Sequence, residues 1–206
     1  SQLYDYISKI ISRADQVIIN GDFWDGYLTT WDAFVSSEWR ELLVQLSLKD
    51  TIYVYGNHDK KEFFDERFHH FFKKGVNTHT FVSGKNSITV QHGHLLAPAK
   101  DHYWLFHNPV ITRPLYRCVV GVFYYLPWVE FLFNTFHQDA VDQNQLQMFI
   151  EYARHKRAPH TWFVFGHAHL SYCSEVDGII ACGLHPDARY SYVIVENGTI
   201  RQELVD

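Results

Sequence analysis

Nine residues with metal-ligating or proton-transferring side chains fall in four short motifs: Gly21-Asp22-Phe23-Trp24-Asp25, Gly56-Asn57-His58-Asp59, His92-Gly93-His94 and Gly166-His167-Ala168-His169. Oxygen donors from Asp22 and Asn57, combined with imidazoles from His92, His167 and His169, suit Mn, Fe or Zn better than Ca or Mg. No motif contains a cysteine, which argues against a structural zinc site. His167 and His169 are two residues apart, so on an extended loop they can serve two neighbouring metals, and a carboxylate such as Asp22 can bridge such a pair. Two metals about 3.5–4 Å apart clamp a phosphoryl group and turn a bridging water into hydroxide at neutral pH. His58 is then placed beside the metals to protonate a leaving oxygen. Asp59 is placed to hold the second nitrogen of His58, and Asp25 to orient a ligating histidine.

Each motif alone has a plainer reading. Asp after Gly at a strand end is commonly turn chemistry, and a single loop histidine is commonly just hydrogen-bonded. Recurrence outweighs those readings. Gln16-Val17-Ile18-Ile19 reads as a buried strand and runs into the Asp22 motif. Thr51-Ile52-Tyr53-Val54-Tyr55, Ser87-Ile88-Thr89-Val90-Gln91 and Thr161-Trp162-Phe163-Val164-Phe165 are further strands that run into the Asn57, His92 and His167 motifs. Four strands ending on Asp, Asn or His argue for one metal site at the strand ends, where parallel sheets keep their ligand sites.

Helices must carry the chain between those strands. Leu3, Ile7, Ile10 and Ile11 share a helical face that ends at Ala14-Asp15. From Thr30 to Leu48, Val35, Trp39, Leu42, Leu43 and Leu46 repeat at helical spacing, with Asp32 and Ser36 near the start. Phe64, Phe68, Phe71 and Phe72 form an apolar stripe that reads as core, with Gly75 ending the helix. Residues 141–156 read as a helix with Leu146, Phe149, Ile150 and Ala153 inward. Residues 80–82 and 88–90 pair as a hairpin through Gly84-Lys85-Asn86, and the C-terminal part is short strands with hairpin turns at Asp177-Gly178 and Asn197-Gly198.

Composition bounds the class. The 206 residues are 47% hydrophobic and 20% charged, a globular balance with enough chain for one sizeable core. A net charge of −5 gives no general attraction to nucleic acid. Three cysteines without CxxC spacing point to a reducing cytoplasm rather than a disulfide framework. The chain opens on Ser1-Gln2-Leu3-Tyr4-Asp5, which lacks a signal peptide's charged start and apolar core.

Residues 105–136 differ from the rest in holding Tyr116, Phe123, Tyr124, Tyr125, Trp128, Phe131 and Phe133 among many aliphatics. The uncharged run from Cys118 to Val129 is 12 residues and contains Pro127, too short to span a bilayer. Ordinary helical packing is one reading. An apolar cap facing a lipid or membrane surface, with Arg113 and Arg117 near the interface, is the other.

The four motifs, in their order and spacing, resemble the calcineurin-like metallophosphoesterase superfamily. The resemblance implies a four-layer α/β/β/α sandwich with two central sheets. It also implies Asp22 as bridging ligand, with Asn57, His92 and His167 completing one site, His169 on the second metal and His58 as general acid. The family opens with a strand ending in Asp-x-His, and no Asp-x-His precedes Asp22 here. The expectation is therefore a single domain over 1–206 that lacks its first strand, carries an apolar cap insert at about 97–140, and has one weak metal site. Within the superfamily, His92-Gly93 followed by an apolar insert resembles UDP-2,3-diacylglucosamine hydrolases. That group typically has His-Gly-Asp where His94 stands here, and many members carry Arg at the place of His58.

The resulting expectation is a metallophosphoesterase using two divalent ions, Mn ahead of Fe or Zn. Metal-bound hydroxide would attack the phosphorus of a phosphoester or pyrophosphate, with a lipid-linked or nucleotide-sugar substrate. Cytoplasmic localisation, peripheral membrane contact and no nucleic-acid partner are expected. The alternative is a catalytically impaired scaffold on the same fold.

Overall fold

In the computed structural model, residues 2–98, 114, 117–118, 139–183 and 190–205 are described. The chain divides into two compact units, Ser1–Asn77 and Thr78–Asp206, and is mixed α/β.

The first unit is built on a three-stranded sheet, β1 (Ile18–Asn20), β2 (Ile52–Val54) and β3 (Lys74–Val76), in the order β1-β2-β3 with both pairings parallel. Helix α1 (Gln2–Arg13) buries Ile11. The helical pattern from Thr30 onward is realised as two pieces, α2 (Trp31–Val35) and α3 (Arg40–Ser47). Thr30 caps α2 by accepting the Ala33 amide hydrogen at 3.2 Å. Ser37 causes the break: its hydroxyl donates to the Phe34 carbonyl and accepts from the Trp39 amide, bonds that compete with a continuous helix. Trp24, Trp31, Phe34, Leu42, Leu43, Leu46, Tyr53, Phe68 and Phe72 make one core in this unit.

The Phe stripe is core as expected, but only its end is helical, as α4 (Phe68–Phe71). Asp65 accepts from the Arg67 backbone at 3.0 Å, a local turn that separates α4 from the 3-10 turn at Lys61–Phe63 and leaves Phe64 extended between them. Gly75 does not end a helix. It lies in β3, where an added Cβ would fall 2.0 Å from the Tyr55 hydroxyl.

The second unit has a five-stranded mixed sheet. Its strands are β4 (Thr78–Ser83), β5 (Asn86–Gln91), β6 (Thr161–Phe165), β7 (Tyr172–Ser174) and β8 (Ile179–Ala181), in the order β4-β5-β6-β8-β7. β5, β6 and β8 run parallel, with β4 and β7 antiparallel at the edges. Helix α5 (Asp139–Lys156) faces its Leu146, Phe149, Ile150 and Ala153 into a core with Phe163, Phe165, Ile179 and Ala181. A hairpin of β9 (Tyr190–Glu196) and β10 (Thr199–Val205) turns at Asn197 and Gly198, both at positive φ as a type I′ turn requires. Of the apolar insert expected at 97–140, residues 99–138 lie outside the described residues apart from 114, 117 and 118.

Candidate functional site

Each unit presents a pair of loops at the carboxyl ends of two adjacent parallel strands. In the first unit those strands are β1 and β2, with Asn20 in register with Val54. Two residues past β1, Gly21 and Asp22 take φ of 77° and 53°, so the chain turns in the left-handed region, which aspartate tolerates better than most residues. Past β2, the His58 amide donates to Asp22 Oδ1 at 2.9 Å, tying the two loops. Gly56 is required at this crossing: a Cβ there would lie 2.1 Å from Asp22 Oδ1 and 2.6 Å from its nitrogen. Asn57, next in the chain, is buried.

Asp25, not Asp59, is the partner of His58. Asp25 Oδ2 lies 3.0 Å from His58 Nδ1, while Asp25 Oδ1 accepts from the Tyr27 and Leu28 amides. The Tyr27 ring stands edge-on to the imidazole at 5.7 Å. Asp59 faces inward and accepts from the Gly56 and Phe23 amides and from the Tyr53 hydroxyl. Burial pushes the Asp59 carboxyl above its usual range and the Asp22 charge adds to that, while hydrogen bonds from the Tyr53 hydroxyl and from the Asp22 and Gly56 backbone oppose. Burial, then the Asp59 charge, drives the Tyr53 hydroxyl well above the ordinary tyrosine value. The expectation that Asp59 holds His58 is thus corrected. Successive residues on this turn point apart, and the buried carboxylate closes the loop.

In the second unit the paired strands are β5 and β6, with Val90 in register with Val164. The His92 carbonyl accepts from both the Gly166 and His167 amides at 2.9 Å, fastening one loop to the other. The His92 and His167 rings are buried, with centroids 5.2 Å apart, and the His94 ring lies 5.4 Å from His92 and 6.3 Å from His167. From α5, Gln145 Nε2 reaches His167 Nε2 at 3.1 Å. His169 is exposed, two residues further along the same loop. Gly93, at φ 112°, passes under Phe149, where a Cβ would fall 2.5 Å from the ring.

Gln145 and Tyr53 escaped the reading of the sequence as site-supporting groups. A signal did exist on α5: Asp142 and Gln145 are polar residues on the face that buries Leu146 and Phe149, and both are buried themselves.

The donor chemistry fits a divalent transition metal. Asp22, His92 and His167 each offer one carboxylate or imidazole ligand atom. The ring spacing of His92 and His167 also fits: two imidazoles on one tetrahedral ion, with nitrogen–zinc distances of about 2.0–2.1 Å, place their centroids about 5 Å apart.

The sequence pattern of the calcineurin-like phosphoesterases matches residues 1–194. No curated protein matches the chain. Among solved structures, a predicted phosphoesterase from Streptococcus pneumoniae is 13% identical, with 98% of this chain and 82% of that one covered and a TM-score of 0.42. A Vps29 double mutant from Entamoeba histolytica is 14% identical, with 98% and 88% covered and a TM-score of 0.40. Vacuolar protein sorting 29 from Cryptosporidium parvum is 12% identical, with 92% and 80% covered and a TM-score of 0.40.

Proposed function

Since the chain belongs to the calcineurin-like phosphoesterases, we propose that it is a divalent-metal-dependent hydrolase of phosphoester or pyrophosphate bonds. The observation that carries the reading is the buried pair His92 and His167, fastened backbone to backbone at the ends of two parallel strands. Asp22, Asn57, His92 and His167 would hold one ion, and Asp22 and His169 would contribute to a second, with Mn ahead of Fe or Zn. When bound, such ions polarise the phosphoryl group and lower the pKa of water.

The remaining steps belong to the chain. Asp25 orients the His58 ring through Nδ1, so that Nε2 is the nitrogen turned to the leaving oxygen, to which His58 delivers a proton. Asp59 fixes the Gly56–His58 turn by accepting from Gly56 and Phe23, which keeps Asn57 and His58 in one geometry.

The finer reading is a bulky, lipid-bearing or nucleotide-sugar substrate handled in the cytoplasm, with peripheral membrane contact. It is supported by the aromatic density of residues 105–136, and no helix among the described residues is long and apolar enough to cross a membrane. The test is hydrolysis of a phosphomonoester, a phosphodiester and a UDP-sugar, with and without acyl chains, in Mn, Fe or Zn. Metal-dependent release that is lost together with the bound metal in His167→Ala is expected. A chain that binds the metal fully yet cleaves none of these substrates would be a binding scaffold instead. Equal rates on acylated and unacylated substrates would remove the lipid-bearing reading.

A further inference from the structure

His167 is a ligand candidate with a defined side-chain partner on one ring nitrogen. Gln145 meets His167 Nε2 at 3.1 Å, and both residues are buried, 5% and 6% exposed, so water does not compete for the bond. The pairing is set by register. Phe149 and Phe165 stack with centroids 4.3 Å apart and planes within 5°. Gln145 is four residues before Phe149 on α5, a rise of about 6 Å. His167 is two residues after Phe165, a rise of about 6.6 Å along an extended chain. One aromatic stack therefore places the carboxamide over the imidazole, and α5 carries it there on a helix packed along its length by Leu146, Ile150 and Ala153.

A carboxamide can meet a ring nitrogen in two ways. Its NH2 donates to an unprotonated Nε2, which leaves the ring hydrogen on Nδ1. Turned by 180°, its oxygen accepts from Nε2–H, which leaves the lone pair on Nδ1. Only the second arrangement keeps this hydrogen bond while offering a ring nitrogen to a cation. Ligating histidines are generally held in this way, the other N–H donating to a carbonyl or carboxylate oxygen.

We propose that Gln145 is a positioning residue that selects Nδ1 of His167 as the metal-binding atom, by accepting from Nε2–H through its side-chain oxygen. This rests on the metal-dependent reading above. Gln145 touches neither substrate nor ion; it acts through the imidazole. The proposal separates two substitutions of similar size. Gln145→Glu can only accept, so it preserves the selected tautomer. Gln145→Met fills the space but neither accepts nor donates strongly.

The test is Zn affinity of the full chain, measured by competition with a chelator, together with 15N chemical shifts of the His167 ring, identified by comparison with His167→Gln. In the wild type, Zn is expected to shift Nδ1 into the metal-bound range while Nε2 keeps its hydrogen. Gln145→Met is expected to weaken Zn binding roughly 10–100-fold, the usual effect of losing a ligand's outer partner. Gln145→Glu is expected to retain affinity within about threefold of wild type, in line with carboxylates serving this role. Thermal melts of both variants check that they are folded. Ligation through Nε2 in the wild type, or unchanged affinity in a folded Gln145→Met, overturns the proposal. Ligation through Nε2 in the wild-type spectrum overturns it even where a variant fails to fold. Failure of the wild type to bind Zn, Mn or Fe overturns instead the metal-dependent reading on which the proposal rests.

Discussion

Asp25 Oδ2 lies 3.0 Å from His58 Nδ1, and the other oxygen of the same carboxylate accepts two backbone amides, from Tyr27 and Leu28. The carboxylate is thus anchored on one side and holds the imidazole with the other. Histidine, carboxylate and backbone form a short relay in which the ring cannot turn without losing a charge-assisted hydrogen bond.

His58→Ala should leave metal binding nearly intact and lower turnover about 10²–10⁴-fold, the usual contribution of a general acid. His58 follows the ligand candidate Asn57 and bonds to Asp22 through its backbone amide, which alanine retains. Metal content and turnover measured on one preparation decide the matter: loss of both together would make His58 a ligand.

Asp25→Asn and Asp59→Asn should part ways. The first removes the charge that orients His58, and turnover should fall roughly 10–100-fold with a small change in melting temperature. The second places an amide where three donors converge on a buried carboxylate, and should cost about 1–3 kcal/mol of stability. Denaturant titration and kinetics on both variants separate the roles. Equal stability losses would put the two aspartates in one class.

That division was not legible in the sequence. Adjacency in Asn57-His58-Asp59 favoured Asp59 as the partner of His58, whereas Asp25, 33 positions earlier, makes the contact. The strands carrying the motifs were legible because each is an apolar run stopped by Gly or a polar residue. β3 was not, since Lys74-Gly75-Val76 is three residues with a charge and a glycine. The Ser37 break was hidden because apolar spacing continues across it into α3. The histidines of the second unit announced themselves by motif. Gln145 announced itself only as a polar residue on the apolar face of its helix, which names no partner until that helix is packed against β6.

Gly56→Ala should disrupt the Asp22 loop. The new methyl would meet Asp22 Oδ1 at 2.1 Å and Asp59 Oδ1 at 2.8 Å, and the backbone nitrogen of Asp22 at 2.6 Å blocks simple retreat. A stability loss of about 1–3 kcal/mol is expected, as for other overpacked sites. Mn affinity should fall with it, because Asp22 is displaced. Wild-type Mn binding in a destabilised variant would detach Asp22 from the metal site.

The last prediction concerns acid. Asp177 sits in the turn before β8 and is buried. Its carboxylate accepts from Arg154 Nε at 2.7 Å and from the Ser174 hydroxyl at 2.9 Å, tying α5 to the β7–β8 hairpin. The Arg154 hydrogen bond, then that from Ser174, holds the Asp177 carboxyl below its usual range. A carboxyl whose folded pKa lies below its unfolded value stabilises the fold at pH above the unfolded value, about 3.9 for aspartate, and that contribution drains away as pH falls through the folded value. Asp177→Asn removes the charge at every pH. The wild type should therefore melt a few degrees above Asp177→Asn from neutral pH down to about pH 5, and the gap should narrow as pH falls below about 4. Thermal melts of the two proteins across that range, at fixed ionic strength, provide the check. A gap that stays constant to pH 3 would mean that the hydrogen bonds, and not the ionised carboxylate, hold the hairpin to the helix.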